Sequence, residues 1–473
     1  MRATRGRDGS TFQLLSAIYS DEPMLDIWSA ENMVSLWLRV EAELAQVEAE
    51  VGLGTQADAA AIDEVCDISR IDLDDLWRES EIVGYPILPL VRQITRVLPE
   101  GPNGKVHLGA TTQDIMDTAL AMQMGEACDR LEQLTIAFGD ALAMLVENHM
   151  GTVMAARTHA QQAVPTTFGA KMATFLAEIS RSLENLRGVR NQVCYVSLFG
   201  AGGTSAAYGP HASLLRRRLG EQLGLAVDDV PWHVSRDRIA RYGQAVALLS
   251  SCTVRFAREI IDLSRTEIGE VREQGGYHRG ASSTMPHKTN PIFSESVVGF
   301  GVTASTLSGL LFRAMEAGHE RSAGEWQIEW LTLPQISAYS ATAMALAADV
   351  AQQLEVFPER MLSNMTMDEG LLMSESAMME LAAIIGRESA HDLVYRVAGK
   401  SRLVSEPFWP SLMRELSPDV VARMGHEVMK PEEYVGEALV AAKSSLQQWR
   451  LTKLPNQLNE SLTNHSNDEE SKV

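Results

Sequence analysis

The chain has 473 residues, 45% of them hydrophobic and 22% charged, which is too long for one compact core and ordinary for a soluble protein of several domains. Asp and Glu number 62 against 41 Lys and Arg, and the resulting net charge of −21 argues against a nucleic-acid or anionic-membrane partner. Cys66, Cys128, Cys194 and Cys252 stand far apart with no CxxC pair, so they read as free thiols of a reducing compartment and give no metal signature.

The N-terminal stretch MRATRGRDGSTFQLLSAIYSDE lacks an apolar core of signal-peptide length, which points to a cytoplasmic protein. Helical periodicity then dominates. Val40, Leu44, Val47 and Val51 form one apolar stripe, and a first domain of shorter helices, residues 1–105, closes at the loop LPEGPNGK. A polar cluster follows, HLGATTQDIMDTAL, in which Thr111 or Thr112 caps the next helix and Asp114 sits in its first turn. The stripe Leu131, Leu134, Phe138, Leu142, Leu145 continues that helix. A second cluster, ARTHAQQAVPTTFGAKM, precedes the stripe Met172, Leu176, Ile179, Leu183, Leu186, with Pro165 and Thr166 expected to open the helix. Leu249, Cys252, Phe256, Ile260 and Leu263 mark another long helix, and no run of period two stands out.

The third cluster is GASSTMPHKTNPIFSE, Gly280 to Glu295. Pro286 and Pro291 forbid continuous helix there, and Asn290-Pro291 reads as N-cap and first helical residue. Beyond it, Leu331 to Ala348 carries no charge, but its Pro, Gln, Ser and Thr fit a helix inside a bundle better than a membrane span. Residues 106–355 thus form a central domain of long helices. A C-terminal domain of shorter helices covers 356–450, and the polar residues 451–473 read as a disordered tail. The fold class is all-α. All three clusters put hydroxyls, amides or an ammonium at a helix N-terminus, where free N–H groups and the helix dipole favour anions. A site built from three such ends suits a substrate with two or more carboxylates. Any one cluster taken alone reads more readily as a capped turn.

The third cluster closely resembles the G-S-S-x-M-P-x-K-x-N-P signature of the fumarase/aspartase superfamily. TTQD and RTHAQQAVPTTFG resemble that superfamily's two other segments, in the same order, so the likeness spans residues 10 to 450. It implies a three-domain all-α fold whose long central bundle forms the core of a homotetramer, with active sites assembled from segments of three subunits. It further implies elimination or cycloisomerisation of a small anionic polycarboxylate, with no metal and no organic cofactor. On this resemblance Ser282 removes the Cβ proton, and Lys288 and Asn290 stabilise the aci-carboxylate that forms, helped by Ser283. Thr111, Thr112 and Gln113 hold substrate carboxylates. His159 acts on the leaving-group side with Glu295 as its carboxylate partner. Thr158, Gln161, Met285 and Arg321 are substrate-binding positions, and Gly275, Gly276 and Gly280 suit a closing loop. Plainer readings stand beside these: His287 as a surface residue, Arg157 as a loop brace, and His319, Glu320 and Arg321 as an ion-pair network. His107 is a further candidate histidine.

Within the superfamily, the Arg-Tyr and Arg-His-Asp marks of adenylosuccinate lyase are missing; SAIYSDEPM and EIVGYPILPLV stand in their places. GYPILPLV, EIGEV and HERSAGEWQIEW resemble the 3-carboxy-cis,cis-muconate cycloisomerase branch instead. Thr289 replaces that branch's usual arginine and Ala156 its glycine. Lyases acting on amino-, nitro- or N-substituted succinates are therefore the alternative reading, and a catalytically silent structural oligomer is the remote one.

Overall fold

Leucines, valines and phenylalanines spaced three and four apart give each central helix one apolar stripe, and the cores form where stripes meet. The computed structural model describes residues 18–274, 280, 284–285, 287–404, 406–424 and 430–454. Ser282, Ser283, Gly275, Gly276 and the tail beyond 454 lie outside the described residues. The middle of the chain is carried by five helices, Thr112–Asn148, Phe168–Val193, Asp237–Leu263, Ile292–Ser308 and Glu325–Gln352. Every residue of the three central stripes is buried, as are Val40, Leu44 and Val47; Val51 at the helix end is half-buried. In the Glu325–Gln352 helix the uncharged stretch buries one face through Leu333, Ile336 and Met344, while Leu331 is exposed.

The chain divides into two units, Met1–Thr135 with Ser182–Ser251 and Gly299–Ala345, and Ile136–Arg181 with Cys252–Val298 and Leu346–Val473. Each division point falls inside one of the five helices. In the first unit the helix Ala30–Glu50 starts at Ser29, whose hydroxyl accepts the Asn32 N–H, and buries Val34, Trp37, Leu38 and Leu44. It packs on Gln56–Val65, which begins with a reciprocal Thr55/Asp58 capping box.

In the second unit, strands β1 (Val153–Thr158) and β2 (Gln161–Thr167) form an antiparallel hairpin. This corrects the expectation that Pro165 and Thr166 open a helix: Pro165 pairs with Ala155 in the ladder, and the helix begins at Phe168 with Thr167 Oγ1 accepting the Ala170 N–H. The helix Ala438–Thr452 closes this unit by burying Trp449, whose indole N–H donates to Asp140 Oδ1 at 2.8 Å. A Cβ at Gly139 would lie 2.2 Å from that ring. Gly139→Ala is therefore expected to lower stability by about 1–3 kcal/mol, read as a fall in thermal midpoint, despite alanine's better helix propensity. An unchanged midpoint would contradict the packing.

Candidate active site

The first cluster is fixed by an internal anion. His107 and Gly109 both adopt left-handed backbone (φ 59° and 76°), turning the chain into the Thr112–Asn148 helix. The fully buried Asp114 carboxylate accepts the N–H groups of Thr111 (3.1 Å), Phe199 (2.9 Å) and Gly200 (2.9 Å), and meets His233 Nε2 at 2.8 Å. Thr111 and Thr112 remain half-buried at the helix start. Gln113 is buried, with its amide NH2 donating to Asp117 (3.0 Å) and to the His233 carbonyl (2.8 Å). Its carbonyl accepts from Arg321 at 3.2 Å, and Arg321 also reaches the Ala201 carbonyl at 3.0 Å. Gln113 and Arg321 thus meet, with both ends of the Gln113 amide used inside the protein.

Behind Gln113, the buried Arg236 guanidinium is bidentate to Asp117 (2.8 and 3.0 Å) and to Glu329 (2.7 and 2.6 Å). Burial works against its charge, but the two carboxylates more than reverse that, holding its pKa above the usual arginine value. Beside the cluster, His107 Nδ1 lies 2.7 Å from the buried Glu41. Burial lowers the imidazole pKa, yet the Glu41 charge and hydrogen bond, with Asp114, raise it overall. Glu48, one heptad after Glu41, is pushed up to about 8 by burial and by Glu41, against the pull of Lys105.

Because the folded Glu48 pKa lies above its value in the open chain, its contribution is fully favourable below about pH 4.5 and is lost as pH rises toward about 8. Glu48→Gln is expected to be more stable than wild type by a margin that grows between pH 5 and 8, by at most about 1.4 kcal/mol per pH unit, read from urea or thermal midpoints. A pH-independent difference would contradict this.

The second cluster sits at the tip of the β1–β2 hairpin. His159 and Ala160 form its two-residue turn, both left-handed (φ 49° and 63°), and Thr158 pairs with Gln161 to close it. Neither is glycine or asparagine, so the turn holds strain of about 1–3 kcal/mol per residue. The strain is braced below the tip, where Arg157 is bidentate to buried Glu270 (2.9 and 2.7 Å) and Asn364 donates to the same carboxylate at 2.8 Å. Thr158, His159 and Gln161 are exposed.

The third cluster differs from the expected open helix end. The Ile292–Ser308 helix is capped by Glu273, a buried carboxylate that accepts the Phe293 N–H (3.2 Å), the Ser294 N–H (2.7 Å) and the Ser294 hydroxyl (2.6 Å). The Ile292 N–H donates to the Asn290 carbonyl and the Glu295 N–H to Pro291. Asn290 is not a side-chain cap among the described residues; its N–H donates to the Gly280 carbonyl at 3.0 Å. Gly280 is left-handed, and a Cβ there would lie 2.6 Å from the Asn290 oxygen. The Phe168 helix end is closed too, its first N–H groups donating to Thr152 O, His149 O and Thr167 Oγ1. The expectation of three open helix ends is corrected at these two.

Met285, Lys288 and Glu295 are exposed and Asn290 half-buried. Thr289 and Asn290 line, with Arg272, a recess of about 190 Å³. Among the described residues no hydrogen bond joins His159 to Glu295. Thr111, Thr112, Gln113 and Arg321 belong to the first unit; Thr158, His159, Gln161, Met285, Lys288, Asn290 and Glu295 belong to the second. Sequence reasoning missed the buried His233, Arg236, Asp117, Glu329, Glu270 and Glu273. The available signal was the pair Asp114 and Asp117, acids one turn apart in a helix otherwise rich in apolar residues.

A family model described as lyase matches residues 14–304. The chain is 35% identical over 443 residues to 3-carboxy-cis,cis-muconate cycloisomerase of Pseudomonas aeruginosa, covering 90% of this chain and 94% of that one. It is 30% identical over 429 residues to N-acetyl-S-(2-succino)cysteine lyase of Dickeya dadantii, covering 90% and 94% respectively. Among solved structures, 3-carboxy-cis,cis-muconate lactonizing enzyme from Pseudomonas putida matches with a TM-score of 0.86 at 32% identity, covering 93% of this chain and all of that one. Helical fold, ordered motifs and similarity over nine-tenths of the chain agree: the chain is an enzyme of the lyase family within the fumarase/aspartase superfamily, similar to its 3-carboxy-cis,cis-muconate cycloisomerases.

Proposed function

We propose that this enzyme eliminates from, or adds across, the Cα–Cβ bond of a succinate-type polycarboxylate, in a reaction most like that of 3-carboxy-cis,cis-muconate cycloisomerase. Ser282, as alkoxide, takes the Cβ proton, and the electron pair passes into the adjacent carboxylate as an aci-carboxylate facing Lys288 and Asn290. Collapse of that dianion forms the double bond and expels the leaving group, which His159 protonates with Glu295 as its partner. Run in reverse, the same steps close a C–O or C–N bond. Thr111 and Thr112 hold a second carboxylate, and Gln113 acts by positioning Arg321. Thr158, Gln161, Ser283 and Met285 complete the binding surface.

The observation that carries this reading is His159: an exposed imidazole kept at a strained hairpin tip by a buried Arg157–Glu270–Asn364 brace. Strain maintained by so much buried structure points to a geometry that chemistry requires.

Incubation with 3-carboxy-cis,cis-muconate, followed by loss of the muconate absorbance, tests it directly. A second reading, a lyase releasing fumarate from an N- or S-substituted succinate, is favoured by Thr289, which removes a cation where the branch carries arginine, and by the similarity to the succinocysteine lyase. Fumarate consumed only with an added amine or thiol would select that reading, and turnover of neither set would overturn both.

The enzyme is further proposed to be a cytoplasmic homotetramer with three domains (1–105, 106–355, 356–450), whose sites are shared between subunits. The stretch Ile292–Ala314 supports the oligomer alone: it is apolar enough to cross a membrane by length and composition, yet only 33% of its most apolar window is buried within the chain. Subunit contacts would cover the remainder. Val302→Arg, on its exposed face, is expected to yield smaller species in sedimentation and to abolish activity. An active monomer would sink the shared-site reading.

A further inference from the structure

The stretch 232–236 lies just ahead of the Asp237–Leu263 helix, 120 residues beyond Gln113 at His233, and it fastens the first cluster from behind. Both its ends are anchored. The buried Trp232 indole N–H donates to the Val196 carbonyl at 3.0 Å. Arg236, already held by Asp117 and Glu329, also donates to the Trp232 carbonyl at 3.3 Å and packs over the Trp232 ring, 5.1 Å from its centroid. Between these anchors His233, only 3% exposed, stands edge-on to Phe199 with ring centroids 6.0 Å apart.

His233 meets the cluster twice. Its Nε2 faces Asp114 Oδ1 at 2.8 Å, and its carbonyl accepts the Gln113 NH2 at 2.8 Å. Oδ1 also accepts the Phe199 N–H while Oδ2 accepts those of Thr111 and Gly200, so both oxygens serve as acceptors and Nε2 carries the ring proton. Nδ1 is buried with no partner among the described residues, which leaves the bond to Asp114 as the ring's one hydrogen bond there. Two lines of contact run outward from this residue. Asp114 fixes the Thr111 backbone and the backbone at 199–200, next to the Ala201 carbonyl that takes Arg321. The His233 carbonyl fixes the Gln113 amide, whose own oxygen also takes Arg321. Thr111 and Arg321 thus share one buried support.

We propose that His233 is the positioning residue of the subsite in which Thr111, Thr112 and Arg321 hold a substrate carboxylate. Its bond to Asp114 governs how tightly that carboxylate binds and leaves the proton transfers assigned to Ser282 and His159 unaffected. The proposal rests on the polycarboxylate reading above; succinate, which has two carboxylates and no leaving group, serves as a probe that separates the two.

A glutamine amide nitrogen takes the place of imidazole Nε2, whereas that of asparagine takes the place of Nδ1. His233→Gln therefore keeps the donor to Asp114, and His233→Asn loses it while remaining polar. Calorimetric titration of the intact protein with succinate is expected to give His233→Gln an affinity within about threefold of wild type and His233→Asn one about tenfold weaker. On the enzyme's own substrate KM should follow the same order, with kcat within about threefold for both variants. A residue that merely fills space would not separate the two amides in this way. Should His233→Asn fold poorly, the wild-type protein labelled with 15N-histidine decides: the His233 Nε2–H resonance, identified by its loss in His233→Gln, is expected to shift as succinate saturates the site. The positioning role alone is overturned if wild type binds succinate and the two folded variants bind it alike, if kcat falls while KM holds, or if the resonance does not move. A wild-type protein that binds neither succinate nor fumarate overturns the polycarboxylate reading and this role with it.

Discussion

Ser282→Ala is expected to lower kcat by about 10²–10⁴-fold on whichever substrate the assays above identify, with KM and thermal midpoint little changed. The split follows from the role: a base that acts on the Cβ proton contributes in the transition state and little in ground-state binding. Serine is a poor base in water, so the assignment also requires a cation nearby. Lys288→Met should therefore reproduce most of the loss, and the double variant should fall little below the worse single one, because residues acting as a unit are not additive. Lys288 is exposed, so its replacement should leave the fold intact. A Ser282→Ala enzyme with wild-type kcat would remove serine from the mechanism, while a large KM effect with intact kcat would make it a binding residue.

Arg236→Met is expected to be the most destabilising single change among those considered, costing about 3–5 kcal/mol. Two buried carboxylates, Asp117 and Glu329, lose the guanidinium that both share. The damage should also reach Gln113, which donates to Asp117, and through it Arg321. Adding Asp117→Asn and Glu329→Gln to Arg236→Met should recover part of the stability, since the penalty lies in stranded charge rather than in a missing attraction. Thermal or urea midpoints measure it. A single variant within a degree or two of wild type would show that the cluster is not the buried ionic core described.

The helices were legible because spacing of three and four reports burial directly, and Leu131 to Leu145 needed nothing else. The hairpin was not. VMAART and QQAVPTT do not alternate, and what holds them is Arg157 reaching Glu270 across 113 residues, a pairing no local pattern reveals. Glu273 is the same case at shorter range: an acid 20 residues before Phe293, whose N–H it accepts, carries no mark of being a helix cap. Asp114 was visible as a first-turn acid, but its bonds to Phe199, Gly200 and His233 depend on tertiary placement. For the motif side chains the order was reversed. Ser282, Lys288 and His159 stood out by resemblance, whereas exposure alone would not have separated His159 from His319, which is equally exposed and equally left-handed.

The closed helix end at Ile292 has a consequence for how this scaffold changes over evolutionary time. Where backbone amides hold a substrate anion, the charge a pocket tolerates is written into the main chain and resists point mutation. Here Glu273 has already taken the Phe293 and Ser294 amides, so those two groups are not available to a substrate anion. A single substitution at exposed Thr289, such as Thr289→Arg, is then expected to shift the number of negative charges accepted without disturbing the helix. On that expectation, substrate preference on this framework is a replaceable part.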